Sequence, residues 1–199
     1  MSSNDAENWL HSHGEVFIRR IGVKQGQCVL DFGCRDGKYT LPASKVVGPQ
    51  GCVYAVDKDA KALRTLRQNI RKMRIDNIRV SRVTCSYRLP VPPESVDIAL
   101  LYDVLHGGYF PEASQRIELL GQIYATIKPG GILSCYPTHL KGYGLTFRQI
   151  HREIRSQGFN LEAEARRKLV HDGNLVRGRI FLYRKSVTAS TSKKDNFRV

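Results

Sequence analysis

"VLDFGCRDGKYT", Val29–Thr40, packs an apolar run, two glycines and the start of a helical pattern into twelve residues. Val-Leu-Asp-Phe is a short apolar run of the kind carried by a strand covered on both faces. Gly33 and Gly37 bracket a turn, and a helical pattern begins at Lys38. Strand, glycine turn and helix in that order are the wiring by which a chain cradles a nucleotide. The two glycines read as places where backbone passes close to a ligand. Arg35 stands between them, where most such loops have glycine. Its side chain either points outward and is tolerated, touches a substrate, or damages the site.

Outward from this stretch the chain alternates apolar runs with helical patterns. "CVLDF", "CVYAV", "NIRVSRVT", "VDIALLY" and "ILSCYP" read as five strands. Helices are expected at "KYTLPASKVV", at "DAKALRTLRQNIRKM" with Asp59 as its cap, and from about Pro111 to Ile127 with "KPGG" as its stop. Strands separated by helices imply a doubly wound, mostly parallel sheet with helices on both faces. A further helix, "FRQIHREIRSQG", leads to "FNLEAEARRKLVH", a tight "DGN" turn and "LVRGRIFLYRK". These last two runs form a hairpin, bringing the sheet to seven strands with an antiparallel C-terminal strand. The expected organisation is a flexible segment over residues 1–14, one α/β domain over 15–186, and a flexible tail over 187–199.

Composition narrows the classes. At 199 residues and 41% hydrophobic content, one well-buried core is the expectation. No run of 18 apolar residues exists, and "MSSNDAENWLHSHGE" is polar where a secretory leader is basic and then apolar, so a cytoplasmic protein is expected. Cys28, Cys34, Cys52, Cys85 and Cys135 are odd in number and scattered; they read as reduced thiols, with neither a disulfide framework nor a metal site. The formal net charge of +14 points to anionic partners. Along "KDAKALRTLRQNIRKMR" the apolar Leu63, Leu66, Ile70 and Met73 keep helical spacing, which leaves Arg64, Arg67, Arg71 and Arg74 as a basic stripe. Such a stripe is either a solvated helix face or a patch that tracks phosphates.

Four marks in order, "VLDFGCRDG", "VYAVDKD", "LPVPPESVDIALLYDVLHG" and "IKPGGILSCYPTH", resemble those of the class I S-adenosylmethionine-dependent methyltransferases. The likeness is to the small-molecule branch akin to the ubiquinone and menaquinone biosynthesis enzymes, and it covers roughly Val16 to Lys185. It implies a Rossmann-like methyltransferase fold and S-adenosyl-L-methionine as cofactor, with S-adenosyl-L-homocysteine as product. By position, Asp31, Gly33, Cys34, Arg35 and Gly37 would line the cofactor's methionine end. Asp57 would take the ribose hydroxyls, Cys85 and Ser86 would lie at the adenine edge, and Lys58 and Tyr102 would be further cofactor-binding residues. Cys85 departs from the family, where many members carry an aspartate for the adenine amino group. A nicotinamide dinucleotide is the competing cofactor, disfavoured because the Gly33–Arg35–Gly37 spacing is too short for a GxGxxG loop.

Methyl transfer from a sulfonium needs positioning and a dry pocket, and a base where the nucleophile carries a proton. Asp103, His106 and His139 lie where the fourth and fifth strands end and are the candidate catalytic residues. No neighbouring carboxylates resemble a magnesium site, and no metal is expected. The leading expectation is methylation of a small, anion-tolerant substrate. The alternatives are an RNA methyltransferase or binder that uses the basic surface, and a cofactor-binding protein that has lost catalysis. Oligomeric state is left open.

Overall fold

A computed structural model describes residues 8–83 and 88–187. Strand β1 (Cys28–Phe32) buries every residue after Cys28, as its apolar run requires. It pairs in parallel with β2 (Cys52–Asp57), from Cys28 opposite Cys52 to Phe32 opposite Val56, and on its other edge with β4 (Val96–Tyr102). Adding β3 (Ile78–Arg82), β5 (Ile127–Tyr136), β6 (Phe159–His171) and β7 (Asn174–Lys185) gives one seven-stranded sheet of order β3-β2-β1-β4-β5-β7-β6. Only β7 runs against the rest, because it returns from β6 through the expected hairpin and pairs antiparallel with both β5 and β6.

The order reverses between β1 and β4, so the loops after these strands diverge and open a crevice at their carboxyl ends. Helices α1 (Gly14–Arg20), α2 (Thr40–Val47), α3 (Ala60–Met73), α4 (Ala113–Thr126) and α5 (Phe147–Ser156) cover the sheet. Asp59 caps α3 as its sequence predicts, accepting the N–H groups of Lys61 and Ala62 at 2.8 and 3.1 Å. Leu63 and Leu66 are buried beneath that helix, and the four stripe arginines face water. Met73 does not join the apolar face and is 39% exposed, because the helix ends there in a left-handed Arg74.

Other expectations are corrected. Residues 9–14 are not a loose segment: Trp9 opens a wide turn of π-helix (Trp9–His13), is 1% exposed, and donates its indole N–H to the Lys38 carbonyl at 2.7 Å. The ordered unit therefore begins before Gly14. Cys28 and Cys52 are joined by a disulfide, which the parallel register permits by placing their Cα atoms 4.6 Å apart. Cys34 and Cys135 are free and buried, as core thiols. The helix before "KPGG" ends at Thr126, one residue from the expected Ile127, and the motif itself, expected as a turn, forms an irregular part of β5 where pairing with β4 shifts register. Cys85, Ser86 and the tail from 188 lie outside the described residues.

Candidate active site

The loop after β1 is anchored on β2. Gly33 and Cys34 donate their N–H groups to the Val56 carbonyl at 2.8 and 3.2 Å, and Arg35 donates its N–H to Asp57 Oδ2 at 2.8 Å. Asp59 donates its N–H to the other oxygen, Oδ1, at 2.8 Å. Two backbone donors thus fix the orientation of the Asp57 carboxylate, and each oxygen keeps a lone pair for a further donor. The glycines serve the protein before any ligand. Gly33 has φ +83° and a Cβ there would meet Val104 Cγ2 at 2.6 Å, while Gly37 has φ +94° and a Cβ would meet Leu66 Cδ1 at 2.5 Å.

Arg35 has φ +46°, the left-handed backbone that glycine adopts without strain. Against the opposing effect of burial, its guanidinium is held in the charged form by Tyr109, Asp57 and Asp59. Lys58 Nζ lies over the Tyr109 ring, 4.5 Å from its centre. The two cations clasp one aromatic ring from the loop after β4, and this ring was not among the residues singled out from the sequence. Asp31 is buried on β1, and its Oδ2 accepts the Thr40 hydroxyl at 2.6 Å. Burial, helped by the charge of Asp57 and opposed by the Thr40 hydrogen bond, raises its pKa from 3.8 to about 7. Burial likewise pushes the Cys34 thiol far up, so that its sulfur is inert near neutrality.

These groups line a cavity of about 1120 Å³. Asp31, Gly33, Cys34, Arg35, Asp57, Lys58, Tyr102 and Asp103 all face it; Gly37 lies behind the wall. Tyr102 is held by its hydroxyl to Ser134 Oγ at 2.7 Å and packs edge-on against Tyr39, ring centres 4.7 Å apart. His106 and His139 stand behind Asp103, with their Nε2 atoms 3.8 and 3.6 Å from Asp103 Oδ1. His106 Nδ1 accepts the Gly108 N–H at 3.1 Å, and its ring stacks on Tyr143. Burial lowers its pKa against the opposing pull of Asp103. A neutral imidazole whose Nδ1 lone pair is already engaged supports the loop more readily than it abstracts a proton.

The far wall was missed from the sequence. Val170, His171, Asp172 and Gly173, the tip of the β6–β7 hairpin, line the same cavity. "LVHDGN" carried only a turn signal. What places the turn at the site is topology: β6 runs parallel to the core strands, so its carboxyl end reaches the same edge of the sheet as those of β1, β2, β4 and β5.

With this geometry in view, comparison with known proteins is informative. A family described as "Methyltransferase domain" matches residues 29–131, slightly more than half of the chain. A demethylmenaquinone methyltransferase of Geobacillus stearothermophilus is 26% identical over 121 residues, which cover 61% of this chain and 49% of that protein. A probable cobalt-precorrin-6B C(15)-methyltransferase of Saccharolobus solfataricus is 40% identical over 60 residues, 30% of each chain. The chain thus spans about half the length, or less, of these relatives. Among solved structures, a SAM-dependent methyltransferase from Aquifex aeolicus superposes with a TM-score of 0.72 over 90% of this chain and 92% of that one, at 19% identity, a likeness of fold. By the match that spans more than half of its length, set on a sheet of the same architecture, the chain belongs to the class I S-adenosylmethionine-dependent methyltransferases.

Proposed function

We propose that this protein binds S-adenosylmethionine in the 1120 Å³ cavity and methylates a small-molecule acceptor that enters beside the β6–β7 hairpin. The observation that carries the reading is the Asp57 carboxylate, oriented by two backbone N–H groups at the end of β2 with acceptor capacity left for a diol. The remaining lining fits the same group. Asp31, held from behind by the Thr40 hydroxyl, offers a polar end under the first loop, and Val83, Leu89 and Ala62 offer an apolar face for a base. Bound there, S-adenosylmethionine supplies an electrophilic methyl group for in-line displacement. The chain's own part is to orient and to exclude water. Tyr39, Tyr102 and the hairpin tip close one side, and the Arg35–Tyr109–Lys58 clasp closes the other. The similarity to demethylmenaquinone methyltransferases makes demethylmenaquinone the first acceptor to assay.

Calorimetric titration of S-adenosylmethionine and S-adenosylhomocysteine into the protein and an Asp57→Ala variant tests this. Losing a charged hydrogen-bond acceptor costs about 1.5–3 kcal/mol, so binding in the variant should weaken by about 10- to 100-fold. Absence of binding to the parent protein, or equal binding to both, overturns the reading. A second reading, an RNA substrate, rests on the exposed Arg64, Arg67, Arg71 and Arg74 of α3. It requires RNA affinity that falls steeply with salt and with charge removal on that helix.

A further inference from the structure

Four side chains from three separate parts of the fold meet at the mouth of the cavity. Asp103 follows β4, His139 follows β5, and His171 and Asp172 form the hairpin tip. Taking one ligand atom from each, all four atoms lie within 4.8 Å of one another. The contacts close a ring of alternating imidazole and carboxylate. His139 Nε2 is 3.6 Å from Asp103 Oδ1 and 3.4 Å from Asp172 Oδ2. His171 Nδ1 is 3.5 Å from Asp103 Oδ2, and its Nε2 is 3.5 Å from Asp172 Oδ2.

These spacings bear on two uses of the cluster. Imidazolium–carboxylate hydrogen bonds would draw together to about 2.7–2.9 Å, closer than any of these contacts. With one ligand atom from each residue the four converge to within 4.8 Å, and a tetrahedral ion with bonds of about 2.0–2.2 Å would draw them in to about 3.3–3.5 Å. The backbone concurs: Asp103, His139 and Asp172 have φ of +56°, +56° and +47°, so three of the four groups are presented from left-handed conformations that non-glycine residues seldom hold. Thr138 donates its hydroxyl to Asp103 Oδ1 and so orients that carboxylate from outside the ring. Two imidazoles favour a first-row transition ion over magnesium or calcium, and a mixed set of two imidazoles and two carboxylates suits the four-coordinate preference of zinc.

We propose that Asp103, His139, His171 and Asp172 form a Zn²⁺ site, with His171 contributing one of its two ring nitrogens, that fastens the hairpin tip to the ends of β4 and β5. The ion neutralises the two carboxylates and holds one wall of the cavity shut. This binding is independent of S-adenosylmethionine, so the two proposals fail separately.

The test is titration of Zn²⁺ into the chelator-treated, tag-free full chain at pH 7.5, followed by calorimetry and by competition with a chromophoric chelator. Removing a group that only supports a ligand weakens metal binding by about 10- to 100-fold, so loss of a ligand should cost about 100-fold or more. One Zn²⁺ per chain is expected, with His171→Ala and His139→Ala each weakening binding to that extent and His151→Ala, on α5, leaving it unchanged. Amide exchange in residues 170–173 should slow when Zn²⁺ is added to the parent protein and not to His171→Ala, and equal protection of β1 and β4 in the two proteins establishes that the variant is folded. Absence of stoichiometric Zn²⁺ binding, or binding indifferent to both His171→Ala and His139→Ala, overturns the proposal.

Discussion

Asp31 shows what a single residue costs and supplies at this site. Its carboxyl is fully surrounded by protein, so the folded state holds a proton up to about pH 7 where an ordinary aspartate releases it near 3.8. Between these values the native chain binds more protons than the unfolded one, and stability falls as pH rises through that window. The loss accrues at about 1.4 kcal/mol per pH unit and is complete above pH 7. Asp31→Asn, which keeps an oxygen to accept the Thr40 hydroxyl, should match the parent protein below pH 4 and exceed its stability increasingly up to pH 7. Urea denaturation at pH 4, 6 and 8 checks this, and a constant difference across the three would refute it. Arg35, the residue that first raised doubt, is resolved by geometry that no reading of one position supplies. Its backbone takes the glycine-like conformation while its side chain leaves the loop for Tyr109. The sequence showed that the position was unusual; Tyr109, more than seventy residues further on, was invisible as its partner.

At the scale of elements, the local signals held where they were chemical and slipped where tertiary pairing decides. Asp59 capped its helix because a side-chain carboxylate at that position has backbone N–H groups within reach whatever the rest of the fold does. The helix before "KPGG" ended within one residue of its expected end, but that the motif itself lies within β5 was decided by pairing with β4. The joint between α4 and α5 was also beyond sequence reading. Arg116, 2% exposed, makes a two-pronged bridge to Glu153 at 2.7 and 2.8 Å and donates to the carbonyls of Phe110 and Pro111. It thereby ties the loop that carries Tyr109 to both helices. Arg116→Met strands a carboxylate whose side chain is only 11% exposed and should lower stability by up to about 3–5 kcal/mol. The double change Arg116→Met with Glu153→Leu should recover part of that loss, because it removes the stranded charge. Denaturation midpoints of the two variants decide it, and equal losses would mean that Glu153 is no burden when left alone.

Over the whole molecule the long hairpin is the feature that completes the cavity. Beyond the last pairing of β5 with β7, Cys135 opposite Phe181, strands β6 and β7 run on together to His171 opposite Asn174 and reach past the sheet. Tyr39, at the start of α2, holds that extension by donating its hydroxyl to the Val170 carbonyl at 2.6 Å and accepting the Val170 N–H at 3.1 Å. Tyr39→Phe removes both bonds at a cost of about 1–3 kcal/mol. Amide exchange at Val170 should rise while that of β1 is unchanged, and unaltered exchange at Val170 would show that the tip is held by other contacts.

Residue order alone sufficed for the alternation of strands and helices, the parallel sheet with its reversed last strand, the glycine turn and the acidic residue at the end of β2. Each of these depends on residue periodicity and backbone chemistry, which neighbours along the chain impose on one another. Only the tertiary structure decided which residues share the cavity. The Arg35–Tyr109–Lys58 clasp, the Cys28–Cys52 bond, the Arg116–Glu153 joint and the gathering of Asp103, His139, His171 and Asp172 all join segments far apart in sequence. Their meeting is set by strand order and register, and a strand's neighbour in the sheet leaves no local mark in its own residues.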